Sequence, residues 1–139
     1  MNLVVDCSFI MSSILPDEST QKNNKIYNQI VENIYTAYVP AIFYLECSNT
    51  LNIALKRNRI NKNDYNDYIR LLNILPINVD KFCSTPESLY IITNLTTEYN
   101  LTSYDACYLE LATRLEADIA TLDRNLAASY SKSGIKSII

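Results

Sequence analysis

The sequence predicts an α/β fold in three layers, with a central parallel sheet of four to five short strands and helices on both faces. Three observations lead there. Short apolar runs alternate along the chain with longer stretches of helical periodicity. The 139 residues contain no linker, internal repeat or low-complexity stretch, so 1–139 reads as one domain. Hydrophobic residues make up 48% of the chain and charged residues 19%, so a core can form without disulfides or structural metal.

The elements follow in order. Residues 2–6 are an apolar, β-branched run ending in Asp6, which suits a buried strand. After Pro16 and a polar stretch, Ile26, Ile30 and Ile34 lie four apart, the spacing of one helix face. Ala37 to Val39 form a brief strand closed by Pro40, and Ile42, Leu45, Asn49, Asn52 and Lys56 lie along the next helix. Asn61 is placed to cap a helix carrying Tyr65, Tyr68, Ile69 and Leu72, and Pro76 opens a strand at Ile77 to Val79. Thr85-Pro86-Glu87 predicts a helix start, with threonine as cap and proline in the first turn, running to about Tyr99. Thr102 or Ser103 caps another, whose core-facing stripe is Ala106, Leu109, Ala112 and Leu115. Asp118 to Thr121 read as a strand, Asp123 to Tyr130 as a short helix, and Ile135 to Ile139 as a terminal strand after Gly134.

Composition excludes several chemistries. With no histidine, there is no Ser-His-Asp or Cys-His triad, no imidazole acid–base ribonuclease and no usual zinc enzyme. A single glycine rules out the phosphate-cradling loops of nucleotide-binding motifs. Cys7, Cys47, Cys83 and Cys107 are widely spaced with no C-x-x-C pair, and are expected to be free, mostly buried thiols in a reducing compartment. The first residues have no basic region and carry an acid within the apolar stretch, and no apolar run reaches membrane-spanning length, so a soluble cytoplasmic protein is expected. A net charge of −3 gives no general attraction for nucleic acid; Lys56, Arg57, Arg59 and Lys62 form one local basic patch that could meet RNA phosphates.

The acids fall in a pattern. Asp6 ends the first strand, Asp123 follows the fourth, and Glu46 and Asp105 lie in early turns of helices. If the strands are parallel, all four come to one edge of the sheet, where open α/β folds bind ligands. Two carboxylates about 4 Å apart repel by about 4 kcal/mol at an effective dielectric near 20. Without histidine or a clear basic partner such a cluster calls for a hard cation, Mg²⁺ or Mn²⁺. The chemistry that paired ions support most naturally is in-line displacement at phosphorus.

Four blocks, V-V-D-C-S at 4–8, Y-L-E-C-S-N at 44–49, S-Y-D-A-C-Y-L-E-L-A at 103–112 and A-T-L-D-R-N-L at 120–126, together resemble the successive motifs of PIN domains. The chain is most similar to the VapC-type toxins of type II toxin–antitoxin systems. That resemblance implies a PIN-like α/β/α fold and a metal-dependent endoribonuclease neutralised by a cognate antitoxin. On it, Asp6, Glu46, Asp105 and Asp123 would be the catalytic, Mg²⁺- or Mn²⁺-holding acids. Ser8, Asn49 and Thr121 would support them, by hydrogen bonding a carboxylate or orienting a phosphate. Tyr65, Tyr68 and Leu72 resemble the region through which such proteins form homodimers. The cysteines beside the acids depart from the family pattern and read as packing. Glu110 is expected to pair with Arg114 instead of joining the cluster. The competing reading is a catalytically silent binding module of the same fold. A phosphoaspartyl enzyme using Asp6 fits poorly, because Ser8 stands where a second aspartate is wanted.

Overall fold

The computed structural model describes residues 1–139. Four strands, β1 (Asn2–Val5), β2 (Thr36–Pro40), β3 (Ile77–Asp80) and β4 (Asp118–Ala120), form one parallel sheet in the order β3-β2-β1-β4. The helices are α1 (Cys7–Ile14), α2 (Gln21–Val31), α3 (Phe43–Lys56), α4 (Lys62–Ile74), α5 (Ser88–Tyr99), α6 (Ser103–Arg114) and α7 (Arg124–Lys132). The chain steps outward from β1 to β2 to β3, then crosses to the far side of β1 to lay down β4. The point where the direction reverses, between β1 and β4, is where such sheets open a crevice at their carboxyl ends.

Alternation along β1 divides the core in two. Leu3 and Val5 face one layer, with Phe9, Ile10, Ile30, Phe43 and Leu51 from α1, α2 and α3 and Leu72 from α4. Val4 faces the other, with Tyr108, Leu109, Leu111, Ile119, Leu126 and Tyr130. No helix is long and apolar enough to cross a membrane.

Several helix ends are fixed by side chains. Asn61 and Asp64 form a reciprocal capping box at α4, and Thr102 caps α6. Asparagine serves at three of the places where the backbone turns left-handed after a helix, Asn33, Asn58 and Asn100 with φ of 58°, 55° and 52°, while Glu116 (φ 49°) and Gly134 (φ 89°) do so after α6 and α7. After α3, Asn58 N–H bonds the Leu55 carbonyl and Arg59 N–H the Ala54 carbonyl, so the last carbonyls are satisfied.

The structure corrects five expectations. Helix α1 has no predicted counterpart: Cys7, Phe9, Ile10, Met11 and Ser12 are all buried, so its sequence shows no polar stripe to reveal the helical period. The terminal strand shrinks to a single parallel bridge between Ser137 and Ile119, because β4 offers only three residues to pair with. Thr85 does not cap α5. A 3-10 turn at Phe82–Ser84 draws its hydroxyl back to donate to the Phe82 carbonyl, and the helix starts at Ser88. Ile34 lies beyond α2, past the left-handed Asn33, and is 55% exposed. Leu72, grouped with Tyr65 and Tyr68 as a surface feature, is buried in the first core layer, while the two tyrosines pack only partly against it.

Central β1 carries both layers. Leu3→Ala is expected to cost about 2–5 kcal/mol of unfolding free energy in urea titration, the range for truncating a fully buried leucine.

Candidate active site

An open groove of about 620 Å³ lies at the carboxyl end of the sheet, and Asp6, Ser8, Glu46, Asn49, Asp105 and Asp123 line it. Thr121 sits beneath, buried, at the end of β4. Each acid arrives on a different element. Asp6 leaves β1 and caps α1, Glu46 projects from the first turn of α3, Asp105 from the first turn of α6, and Asp123 caps α7 directly after β4. Helix starts suit them, since unpaired N–H groups and the helix dipole favour negative charge there.

The carboxylates share one mode of attachment: the protein grips one oxygen firmly and leaves the other without a close donor. Asp6 Oδ2 accepts from the Ser8 hydroxyl at 2.7 Å and the Thr121 hydroxyl at 2.6 Å, while Oδ1 has only a long contact of 3.4 Å from Ser8 N–H. Glu46 Oε2 accepts from the Tyr108 hydroxyl. Asp105 Oδ2 accepts from the Thr102 hydroxyl at 2.6 Å, and Asp123 Oδ1 takes the backbone N–H groups of Asn125 and Leu126 at 2.8 and 3.1 Å.

Hydroxyls tie these anchors together. Thr121 Oγ1 also accepts from Asp123 N–H at 3.1 Å, and Ser8 Oγ accepts from Leu122 N–H at 3.1 Å. The end of β1 is thereby stitched to the loop after β4, across 115 residues of chain.

Electrostatics register the crowding. Burial raises Glu46 above the usual carboxylate range; the Tyr108 hydroxyl opposes this, and the charges of Asp6 and Asp105 add to it. Burial likewise raises Asp105, with Thr102 opposing and Asp6 and Asp123 adding. Tyr108 is raised by its own burial and by the charge on Glu46, so it remains a hydroxyl donor at neutral pH.

An all-oxygen donor set of this kind fits a hard divalent cation. No three acids are drawn together as a closed ligand set. Mg²⁺ is compatible with that spacing, because it keeps several waters and takes only one or two protein carboxylates. The ligands would come from among Asp6, Glu46, Asp105 and Asp123, through the oxygen that has no close donor, with water filling the remaining positions.

The remaining candidates divide. Asn49 reaches the groove from the turn after Glu46 on α3. Lys56, Arg57 and Arg59 are exposed at the end of α3, and Arg59 pairs at 2.6 Å with Glu18, a residue of the groove wall. Glu110 lies away from the groove, bonded to Arg114 at 2.6 Å, which also grips Asp80 at 2.7 Å. Two tyrosines were not singled out in the sequence. Tyr108 holds Glu46, and the buried Tyr130 donates to the Asp105 carbonyl at 3.1 Å. Tyr108 is one turn beyond Asp105 and Tyr130 shares the buried face of α7 with Leu126, spacings that by themselves read as core packing.

Glu46 and Asp105 hold a proton more tightly folded than unfolded, so their ionisation opposes folding at neutral pH. That penalty fades as pH falls through their raised pKa values and is gone below the unfolded ones. In metal-free protein, Glu46→Gln is therefore expected to raise Tm at pH 7, with the advantage over the parent vanishing on acidification, as followed by circular dichroism melts.

Comparison with known proteins places the fold among solved structures. A search of the curated proteins finds no match. PAE2754 from Pyrobaculum aerophilum shares 21% identity at a TM-score of 0.67, over 93% of this chain and 84% of that one. FitAcB from Neisseria gonorrhoeae shares 14% at 0.68, over 99% and 96%. VapBC2 from Rickettsia felis, bound to a DNA fragment from their promoter, shares 13% at 0.60, over 87% of each. At these identities the likeness speaks for the fold. The PIN-domain model, in contrast, matches residues 3–131, a span that includes every groove acid and both sides of the switch point, and the chain belongs to the PIN-domain family.

Proposed function

We propose that this protein is a cytoplasmic VapC-type toxin, a divalent-metal-dependent endoribonuclease held in check by a cognate antitoxin. The observation that carries the reading is that four carboxylates line one groove, each anchored through one oxygen while the other has no close donor. Family membership and the likeness to FitAcB and VapBC2 support it.

The chain's own residues would divide the work. Ser8 and Thr121 hold the Asp6 carboxylate against rotation, and Tyr108 does the same for Glu46. Asn49, exposed at the groove, offers an amide to a phosphate oxygen. Arg59, already at the rim through Glu18, offers a guanidinium to the next phosphate along. A bound Mg²⁺ or Mn²⁺ supplies the positive charge that activates water and stabilises the leaving oxygen. The antitoxin is proposed to cover this groove. A homodimer is proposed through the α4 region that carries Tyr65 and Tyr68, both half-buried, with Leu72 in the core beneath; Leu45 and Tyr104, 74% and 63% exposed, share a pocket with Glu46 and Asn49.

Purified protein is expected to cleave single-stranded RNA with Mg²⁺ or Mn²⁺ and to stop in EDTA. Asp105→Asn should lower kcat about 10²–10³-fold, the scale of removing one preorganised charged group. Cleavage without metal, or full activity in that variant, overturns the reading. Arg59→Ala should weaken RNA binding and flatten the slope of log affinity against log salt by about 0.7, as for one lost phosphate contact on a single strand; fluorescence anisotropy across a salt series measures it.

A further inference from the structure

Two cysteines stand next to groove acids in the sequence, Cys7 after Asp6 and Cys47 after Glu46. The fold brings them together. α1 packs on α3, and the two sulfurs, 40 residues apart in the chain, lie 3.5 Å from each other. Both are free thiols and both are buried, yet their surroundings differ. Cys7 lines the acidic groove, whereas Cys47 lies behind it against the apolar cavity between α3 and α4. One sulfur can thus be reached by a small molecule in the groove, with a second already in contact to capture the product.

We propose that Cys7 and Cys47 are a site of reversible oxidation, closing to a disulfide under peroxide and thereby disabling the acidic groove. The consequence for activity rests on the nuclease reading above; the crosslink itself does not. In the first step the Cys7 sulfur attacks one peroxide oxygen and the O–O bond breaks. A water leaves, and a sulfenic acid remains on Cys7. In the second step the Cys47 sulfur attacks the Cys7 sulfur, the S–O bond breaks and a second water leaves. Two thiols and one peroxide become one disulfide and two waters; sulfur is oxidised and peroxide oxygen reduced.

Bond formation brings sulfurs now 3.5 Å apart to about 2.05 Å, a closure of roughly 1.5 Å. Rotation of the two cysteine side chains and shifts of the adjoining backbone of α1 and α3 take up that movement, and the residues next in line are Asp6 and Glu46. Asp6 is held by two short hydroxyl contacts and Glu46 by one tyrosine, so a shift passed to either backbone moves its carboxylate relative to those donors. Misplacement by about 1 Å in an active site costs about 10²-fold in rate. A thiol reductant reverses the crosslink and restores the groove.

A second pair competes. Cys83 and Cys107 line another pocket, where Cys107 Sγ donates to the Ser103 carbonyl at 3.1 Å.

The test treats the full chain with limiting hydrogen peroxide, blocks remaining thiols, and maps crosslinked peptides by mass spectrometry beside RNA-cleavage assays. Expected are a Cys7–Cys47 crosslink with Cys83 and Cys107 still free, an activity loss of about 10²-fold, and recovery in dithiothreitol. Cys47→Ala should keep its activity through the same treatment. Four free thiols, a crosslink confined to Cys83 and Cys107, or irreversible over-oxidation of Cys7 overturns the site. A Cys7–Cys47 crosslink with undiminished activity overturns the switch. Should reduced protein cleave no RNA, the nuclease reading fails while the peptide map still decides the crosslink. Should Cys47→Ala not fold, that map of the parent protein decides it unaided.

Discussion

Like charges forced into one groove are the constraint around which this molecule is arranged. Burial and mutual repulsion raise Glu46 and Asp105 toward neutrality, and left alone such groups would turn out to solvent or take up protons. They are kept in place by donors matched to one oxygen of each: hydroxyls for Asp6, Glu46 and Asp105, and helix-end amides for Asp123. None of these donors is cationic. The negative charge is therefore not neutralised by a paired cationic side chain, and one oxygen of each acid is left without a close donor, as a hard cation requires. A lysine or arginine in the same positions would have stabilised the fold and occupied the site.

The sheet order supplies the framework for that arrangement. Because β1 sits between β2 and β4, its carboxyl end faces both crossovers, and α1, α3, α6 and α7 all begin around it. Helix starts are where an acid costs least and a backbone amide is free, so topology and electrostatics select the same places. The β1 residues serve both core layers at once, which couples the groove floor to the packing of the whole domain.

Much of this was legible in the sequence, for identifiable reasons. Parallel strands buried on both faces read as short apolar runs, and the acids that end them stand out against those runs. Caps with their own chemistry, Asn61 and Thr102, were equally plain. Helix α1 was not, because burial on nearly every side removes the polar stripe by which a helix is recognised. Thr85 misled because its local signal was overruled by the preceding 3-10 turn, which no pairwise spacing announces. The tyrosine apparatus of the groove was hidden for another reason. Tyr108 and Tyr130 are buried among core residues, and only the three-dimensional arrangement shows their hydroxyls reaching Glu46 and the Asp105 backbone. The thiol contact between Cys7 and Cys47 is similar, since each residue taken singly reads as packing.

The bond from Thr121 to Asp6 joins the end of the first strand of the sheet to the residue after the last, and Tyr130, later still, steadies the Asp105 backbone. During synthesis at about 5–20 residues per second, domains fold from their amino-terminal side. Asp6 thus has Ser8 at once but waits for a residue 115 positions later to supply its second hydroxyl. Until β4 and α7 have been made, Asp6 lacks Thr121 and the Asp105 backbone lacks Tyr130, so the groove can be completed only by the carboxyl-side elements of the domain.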